Sequence, residues 1–213
     1  VRWSTGKPLG LMPDWEDFMR VLLTLPFDLS YNRDAPDLGL GYLAAALRER
    51  GHAVDVLLRP NKFGSADAFA DFVKKGQFDL YGIKVFSCQA RATLATIELI
   101  RQADPQAIIA LGGPHVSADP ANVFALFPLA DYGFQAEAEV GLCALVDALS
   151  SGDLPTESSM TIPGLIWKRG DQTVVNTPRL CEDLDAIPFP AWDLMKPADF
   201  PGIPFNGYSR RQP

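Results

Sequence analysis

Two periods of polarity alternate along the chain between residues 20 and 150. Residues 21–25 form a short apolar run closed by Pro26, which predicts a buried strand. Residues 53–58, 80–86 and 107–111 repeat that signature, and residues 131–134 give a weaker fifth version. Between these runs the spacing becomes helical. Leu40, Leu43, Ala44 and Leu47 share one face of a helix predicted over 38–50, introduced by Pro36-Asp37 and stopped at Gly51. A second helix over 65–75 places Phe69, Phe72 and Val73 inward and stops at Gly76. A third, over 90–103, aligns Ala90, Thr93, Leu94, Ile97 and Ile100. Asp119-Pro120 can cap and start a short helix with proline at its first position. A last helix over 138–149 turns Leu142, Leu145, Val146 and Leu149 inward. Strands alternating with helices predict an α/β domain with a parallel sheet covered on both faces. The expected member is a flavodoxin-like (Rossmann-like), doubly wound sheet of five strands, which binds ligands outside the carboxyl ends of its strands. The strand order is not readable from the pattern.

The pattern changes at Ser150-Ser151-Gly152. Residues 165–168 and 173–176 flank Arg169-Gly170-Asp171, which predicts a hairpin. Beyond Pro178 the chain is a proline-rich strap, with 7 of its 18 prolines in the last 36 residues, and such a segment is expected to build neither helix nor central strand. Its Phe189, Trp192, Leu194, Phe200 and Phe205 are too apolar for a free linker, so it is expected to wrap a surface of this domain or of another. The expected organisation is an N-terminal arm over 1–19, a ligand-binding domain over 20–150, and a hairpin and strap over 151–213. No internal repeat or low-complexity tract is present.

Composition removes several function classes. The chain has 213 residues, of which 47% are hydrophobic, enough for one medium core without disulfide staples. A net charge of −7 argues against a nucleic-acid partner, since neutralising phosphates needs a basic face. No apolar run is long enough to span a membrane, and no secretory signal is expected. Cys88, Cys143 and Cys181 are odd in number and widely spaced, as expected for reduced thiols in a cytoplasmic protein. With His52 and His115 the only histidines, metal chemistry has few ligands to draw on.

The candidate site is the set of loops after strands 1, 3, 4 and 5, at residues 28–37, 87–89, 112–119 and 135–139. Gly112-Gly113 fits either a tight turn from strand to helix or a place where a large flat ligand meets backbone without a Cβ. Gly39-Leu40-Gly41-Tyr42-Leu43-Ala44 matches the dinucleotide fingerprint by letter. Its glycines lie within a helix a dozen residues after the strand, however, where they cannot form the phosphate turn. His115 can bind a ligand, ligate a metal or cap a local carbonyl, and no second ligand is spaced for a metal. His52, at the far edge of the sheet, is expected to have a surface or capping role. Cys88 is expected to be a packed thiol, since only Arg91 is a nearby cation. Glu137 and Glu139 are expected to open a helix, where acidic side chains are favourable without any further role.

Four stretches, taken in order, resemble the N-terminal cobalamin-binding domain of the cobalamin-dependent (class B type) radical SAM enzymes. They are Pro36-Asp37-Leu38-Gly39-Leu40-Gly41-Tyr42-Leu43-Ala44-Ala45 running on to Arg50-Gly51-His52-Ala53-Val54; Gly112-Gly113-Pro114-His115-Val116-Ser117-Ala118-Asp119-Pro120; Pro163-Gly164-Leu165-Ile166-Trp167; and Asp183-Leu184-Asp185-Ala186-Ile187-Pro188-Phe189-Pro190-Ala191-Trp192-Asp193-Leu194. The resemblance implies a corrin ring across the strand carboxyl ends, with its nucleotide tail between the loops after strands 3, 4 and 5. Carried over by position, Ser87, Cys88 and Gln89 would contact the tail or corrin amides. Gly112 and Gly113 would give the tail room, and His115 and Val116 would line it. Gln135, Ala136 and Glu137 would close over the base, and the loop ending at Leu38 would face the lower side of cobalt. Substituting Gly113→Trp is expected to abolish corrin retention and spare the fold.

Three departures from the family pattern bear on function. The loop after strand 1 has no histidine for cobalt. Ala136-Glu137-Ala138-Glu139 stands where the family has G-E-G-E, so a Cβ at Ala136 is expected to crowd the nucleotide. No C-x-x-x-C-x-x-C is present, so the 4Fe-4S cluster and the S-adenosylmethionine site are expected in a barrel outside this sequence. The implied function is the cobalamin module of a radical SAM methyltransferase, in which methylcobalamin donates a methyl group to a substrate radical and the barrel belongs to the same polypeptide. This chain alone is expected to be inactive. The alternatives are a scaffold that has lost cobalamin and a flavodoxin-like flavin or nucleotide binder.

Overall fold

In β1 (Arg20–Thr24) and β3 (Leu80–Lys84), successive side chains enter opposite cores: Leu23 and Leu80 pack on one face of the sheet, Leu22, Tyr81 and Ile83 on the other. This two-sided burial makes their sequences continuously apolar and places them at the centre of a parallel sheet. A computed structural model describes residues 18–30, 35–152 and 161–200. Its strand order is β2-β1-β3-β4-β5-β6-β7, with β2 (Ala53–Leu57), β4 (Ile108–Gly112) and β5 (Tyr132–Phe134) parallel to β1 and β3. The first five strands have the 2-1-3-4-5 order of flavodoxin-like folds.

The sheet has seven strands rather than the expected five. The hairpin β6 (Leu165–Arg169) and β7 (Gln172–Val175) joins it antiparallel, through Gly133↔Ile166 and Phe134↔Leu165. The reason lies in β6 itself. Leu165 is buried in one core and Ile166 in the other, so this strand needs cover on both faces.

Helices α1 (Leu38–Glu49) and α6 (Glu139–Ser150) cover one face, and α2 (Ala66–Gly76) and α3 (Ala90–Ala103) the other. Asp37 caps α1 by accepting from the Leu40 amide at 3.1 Å, and Ser65 caps α2 by accepting from Ala68. The short helix α4 (Pro114–Ala118) was not expected; it begins directly after Gly113, with Pro114 pre-set for its first position. Asp119-Pro120 starts a 3-10 turn over Pro120–Asn122, followed by α5 (Val123–Leu126).

The strap lies on this domain. The Ala191 amide donates to the Gly41 carbonyl at 3.0 Å, Arg48 grips both oxygens of Asp193, and Met195 and Phe200 are buried. Contrary to expectation it contains one helical turn, α7 (Trp192–Met195), which follows its last clustered proline, Pro190. Phe205 and residues 1–17 of the expected arm lie outside the described residues.

Candidate functional site

The register Leu23↔Gly82↔Ala110 sets two of the smallest residues side by side on the face covered by α1 and α6. Side chains this small leave the space between the sheet and these helices unfilled, and a slot of about 350 Å³ remains at its carboxyl end. Gly82 and Ala110 form its floor. Leu23, Leu40, Leu43, Phe134 and Leu142 make its walls apolar, and Gly112, Gly113, Pro114, Ser117 and residues 136–139 form its rim. The slot spans β1 and β3, where the connections change direction, and this is where such sheets take ligands.

The two rim glycines have different roles. A Cβ at Gly112 would meet nothing within 4 Å, so this residue leaves open space at the mouth. Gly113 has φ 96° and ψ −176°, a conformation almost confined to glycine. A Cβ there would stand 2.8 Å from Lys84 Cγ and 3.0 Å from the Val85 carbonyl oxygen. Gly113→Trp would therefore strain the fold, so Gly112 is the position that tests the slot alone.

One lip of the slot is braced by the hairpin. The Gln135 amide donates to the Gly164 carbonyl at 2.9 Å, and Gln135 Nε2 donates to the Asn176 carbonyl at 2.8 Å. Ala136 is left-handed at φ 59°, and its amide donates to Ser117 Oγ at 3.0 Å. Glu137 precedes the helix rather than opening it, and its carboxylate accepts from the Cys181 amide. Glu139 does open α6. Burial, with the Glu137 charge beside it, pushes its carboxyl above the ordinary range.

On the opposite wall, Lys84 Nζ lies 2.8 and 2.9 Å from the two oxygens of the buried Asp37. Ser87 Oγ and His115 Nδ1 are 3.0 Å apart, which joins the loops after β3 and β4. The buried His115 Nε2 and both side-chain polar atoms of the buried Gln89 have no hydrogen-bond partner among the described residues. Such groups are costly to leave dry.

Of the residues singled out in the sequence, Gly112, Gly113, Ala136 and Glu137 line the slot. Leu38 is half exposed at the start of α1, and Val116 is fully buried in the opposite core. Cys88 is exposed and not packed as expected. His52 is buried, not on the surface: its Nδ1 accepts from the Met19 amide, and its Nε2 donates to Asp147. Of the other lining residues, Ser117 falls in the expected loop 112–119, Gly39 and Leu142 were expected only as helix residues, and Lys84, Gly82 and Ala110 were not singled out. The available signal was small or polar residues at alternate strand positions, Gly82 and Lys84 on β3 and Ala110 and Gly112 on β4. Among the described residues, no group of three or more His, Cys, Asp or Glu side chains could hold a metal, and no helix is long and apolar enough to cross a membrane.

The family model described as "B12 binding domain" matches residues 27–146, more than half of the chain. An uncharacterised methyltransferase of Pyrococcus horikoshii, PH0819, is 29% identical over 196 residues, covering 88% of this chain and 42% of the relative. Cytidylyl-2-hydroxyethylphosphonate methyltransferase of Streptomyces wedmorensis is 26% identical, covering 90% of this chain and 43% of the relative. The chain thus spans less than half the length of these relatives. Among solved structures, the cobalamin-dependent S-adenosylmethionine radical enzyme OxsB with aqua-cobalamin and S-adenosylmethionine bound aligns with a TM-score of 0.72 at 19% identity, over 88% of this chain and 26% of that one. The radical S-adenosylmethionine methyltransferase TsrM of Kitasatospora setae, with cobalamin and a [4Fe-4S] cluster, aligns at 0.64 and 22% identity, over 81% and 31%. At these identities the structural likeness shows a shared fold.

Proposed function

Because this chain belongs to the family of B12-binding domains, we propose that it holds cobalamin at the carboxyl edge of its sheet and serves as the cobalamin module of a radical SAM methyltransferase. The observation that carries the reading is the slot: an apolar cleft of about 350 Å³, floored by Gly82 and Ala110 and open at Gly112. It suits the flat aromatic base of a nucleotide tail, which gains from apolar walls and needs few polar contacts. Cobalamin, when bound, supplies a methyl group carried on cobalt.

The chain's own residues bind and orient. Leu23, Leu40, Leu43, Phe134 and Leu142 exclude water from the base. Gly112 and Gly113 keep the mouth free of side chains, and Ala136 and Glu137 form its opposite lip. Ser87 and His115 offer hydrogen-bonding groups on the loops after β3 and β4, whereas the side-chain amide of Gln89 is buried away from the slot. The exposed Leu38 offers the ring an apolar surface. The methyltransferase role is supported by the two methyltransferase relatives and by the share of their length that this chain matches. It assigns radical generation, the iron–sulfur cluster and S-adenosylmethionine to a further domain of the same polypeptide. Three free thiols suit a reducing cytoplasm.

The test is reconstitution with hydroxocobalamin followed by gel filtration. A corrin spectrum is expected to co-elute with the wild-type chain and to be lost in Gly112→Phe at unchanged thermal stability. A colourless wild-type protein, or one carrying a yellow flavin, overturns the reading. Sequencing the gene past residue 213 tests the methyltransferase role through C-x-x-x-C-x-x-C.

A further inference from the structure

Lys84 is the one cation among the described residues that line the slot. Two glycines shape its path. A Cβ at Gly113 would stand 2.8 Å from Lys84 Cγ, and a Cβ at Gly39 would stand 3.3 Å from Nζ. The stem is thus laid against backbone, and the ammonium is delivered to Asp37. Asp37 is the deeper partner, with a side chain 1% exposed against 22% for Lys84, and it does not line the slot. A ligand entering the slot therefore meets the cation first.

The donor count points the same way. An ammonium has three N–H donors, and the two Asp37 oxygens take two of them. The Phe86 ring centroid lies 5.4 Å from Nζ. Asp37 is meanwhile shared with the start of α1, where it accepts from the Leu40 amide, so helix N-terminus and lysine together stabilise its charge. The acids on the far rim are engaged elsewhere or disfavoured as anions: Glu137 accepts from Cys181, and burial raises the Glu139 carboxyl. An apolar slot with one lysine at its wall suits an aromatic ligand that carries a single anionic group.

We propose that Lys84 recognises the anionic phosphodiester of the cobalamin nucleotide tail, so that the slot selects complete cobalamin over corrinoids lacking that group. This rests on the cobalamin reading above. Lys84 acts as a specificity residue, and Asp37 positions it.

The test uses the double variant Lys84→Met/Asp37→Asn. It removes the charge pair without leaving a buried carboxylate alone and keeps a capping side chain at α1. The variant is expected to retain the wild-type melting temperature within a few degrees and to bind hydroxocobalamin about ten-fold more weakly. Competition separates recognition from architecture. In the wild type, α-ribazole 3′-phosphate is expected to displace cobalamin about ten-fold better than unphosphorylated α-ribazole, a preference lost in the variant. Cobalamin binding as tight as wild type by the double variant, or equal competition by the two fragments against the wild type, overturns the proposal. A wild-type chain that holds no cobalamin removes the reading beneath it and this inference with it.

Discussion

Gly112 and Gly113 are adjacent, and the structure assigns them separate costs. Gly113 occupies a backbone region that costs an L-residue about 1–3 kcal/mol, and its added Cβ would press on Lys84 and on the Val85 carbonyl. Gly113→Ala is expected to cost about 3 kcal/mol, a large part of the roughly 5–15 kcal/mol that holds a domain together. For a chain of this size that lowers the melting temperature by about 6–12 °C. A Cβ at Gly112 enters open space, so Gly112→Ala is expected to stay within about 0.5 kcal/mol of wild type. Circular dichroism melts of the two apo variants measure both. Equal losses, or a Gly113→Ala protein as stable as wild type, would refute the division between a glycine that shapes the turn and one that clears the slot.

Other residues give further tests. Ala136 is left-handed without being glycine, so Ala136→Gly is expected to gain about 0.5–1 kcal/mol in urea unfolding. The Glu139 carboxyl is raised above its ordinary 4.5, first by burial. Wild-type stability therefore falls as pH rises through its folded-state value. Glu139→Gln is expected to be the more stable protein at pH 7 and to converge with wild type below about pH 4, read from unfolding at several pH values. Burial pushes the Cys143 thiol up to about 11, whereas Cys88 is exposed. A thiol reagent under mass spectrometry is expected to modify Cys88 in the native protein and Cys143 only after unfolding.

Most elements were legible because each carries its own period. Residues 90–103 and α3 coincide, and the other long helices and the strands shift by at most two residues at their ends. What periodicity could not supply was neighbourhood. Nothing local to Leu165-Ile166-Trp167 states that its partner is β5 rather than another hairpin. The site was legible where backbone geometry decides, as at Gly112-Gly113, and illegible where side-chain direction decides. Val116 and His115 are adjacent, yet one enters the far core and the other turns to Ser87. Lys84 was not legible because its placement depends on Asp37, 47 residues away. The fingerprint-like glycines have a packing cause: Gly39 admits the Lys84–Asp37 pair, and Gly41 admits Met195, whose Sδ would stand 2.5 Å from a Cβ there.

The hairpin bears on where this protein can be cut. Gly164 and Asn176 hold Gln135 from outside the five parallel strands, and Asn176 is itself tied to Trp167 and to the Ile162 carbonyl. A fragment trimmed after Ser150 would keep every parallel strand and still lose the clamp on the turn before α6. The shortest fragment that keeps this clamp on the slot's lip therefore runs through Asn176, beyond the border that the change in sequence pattern draws.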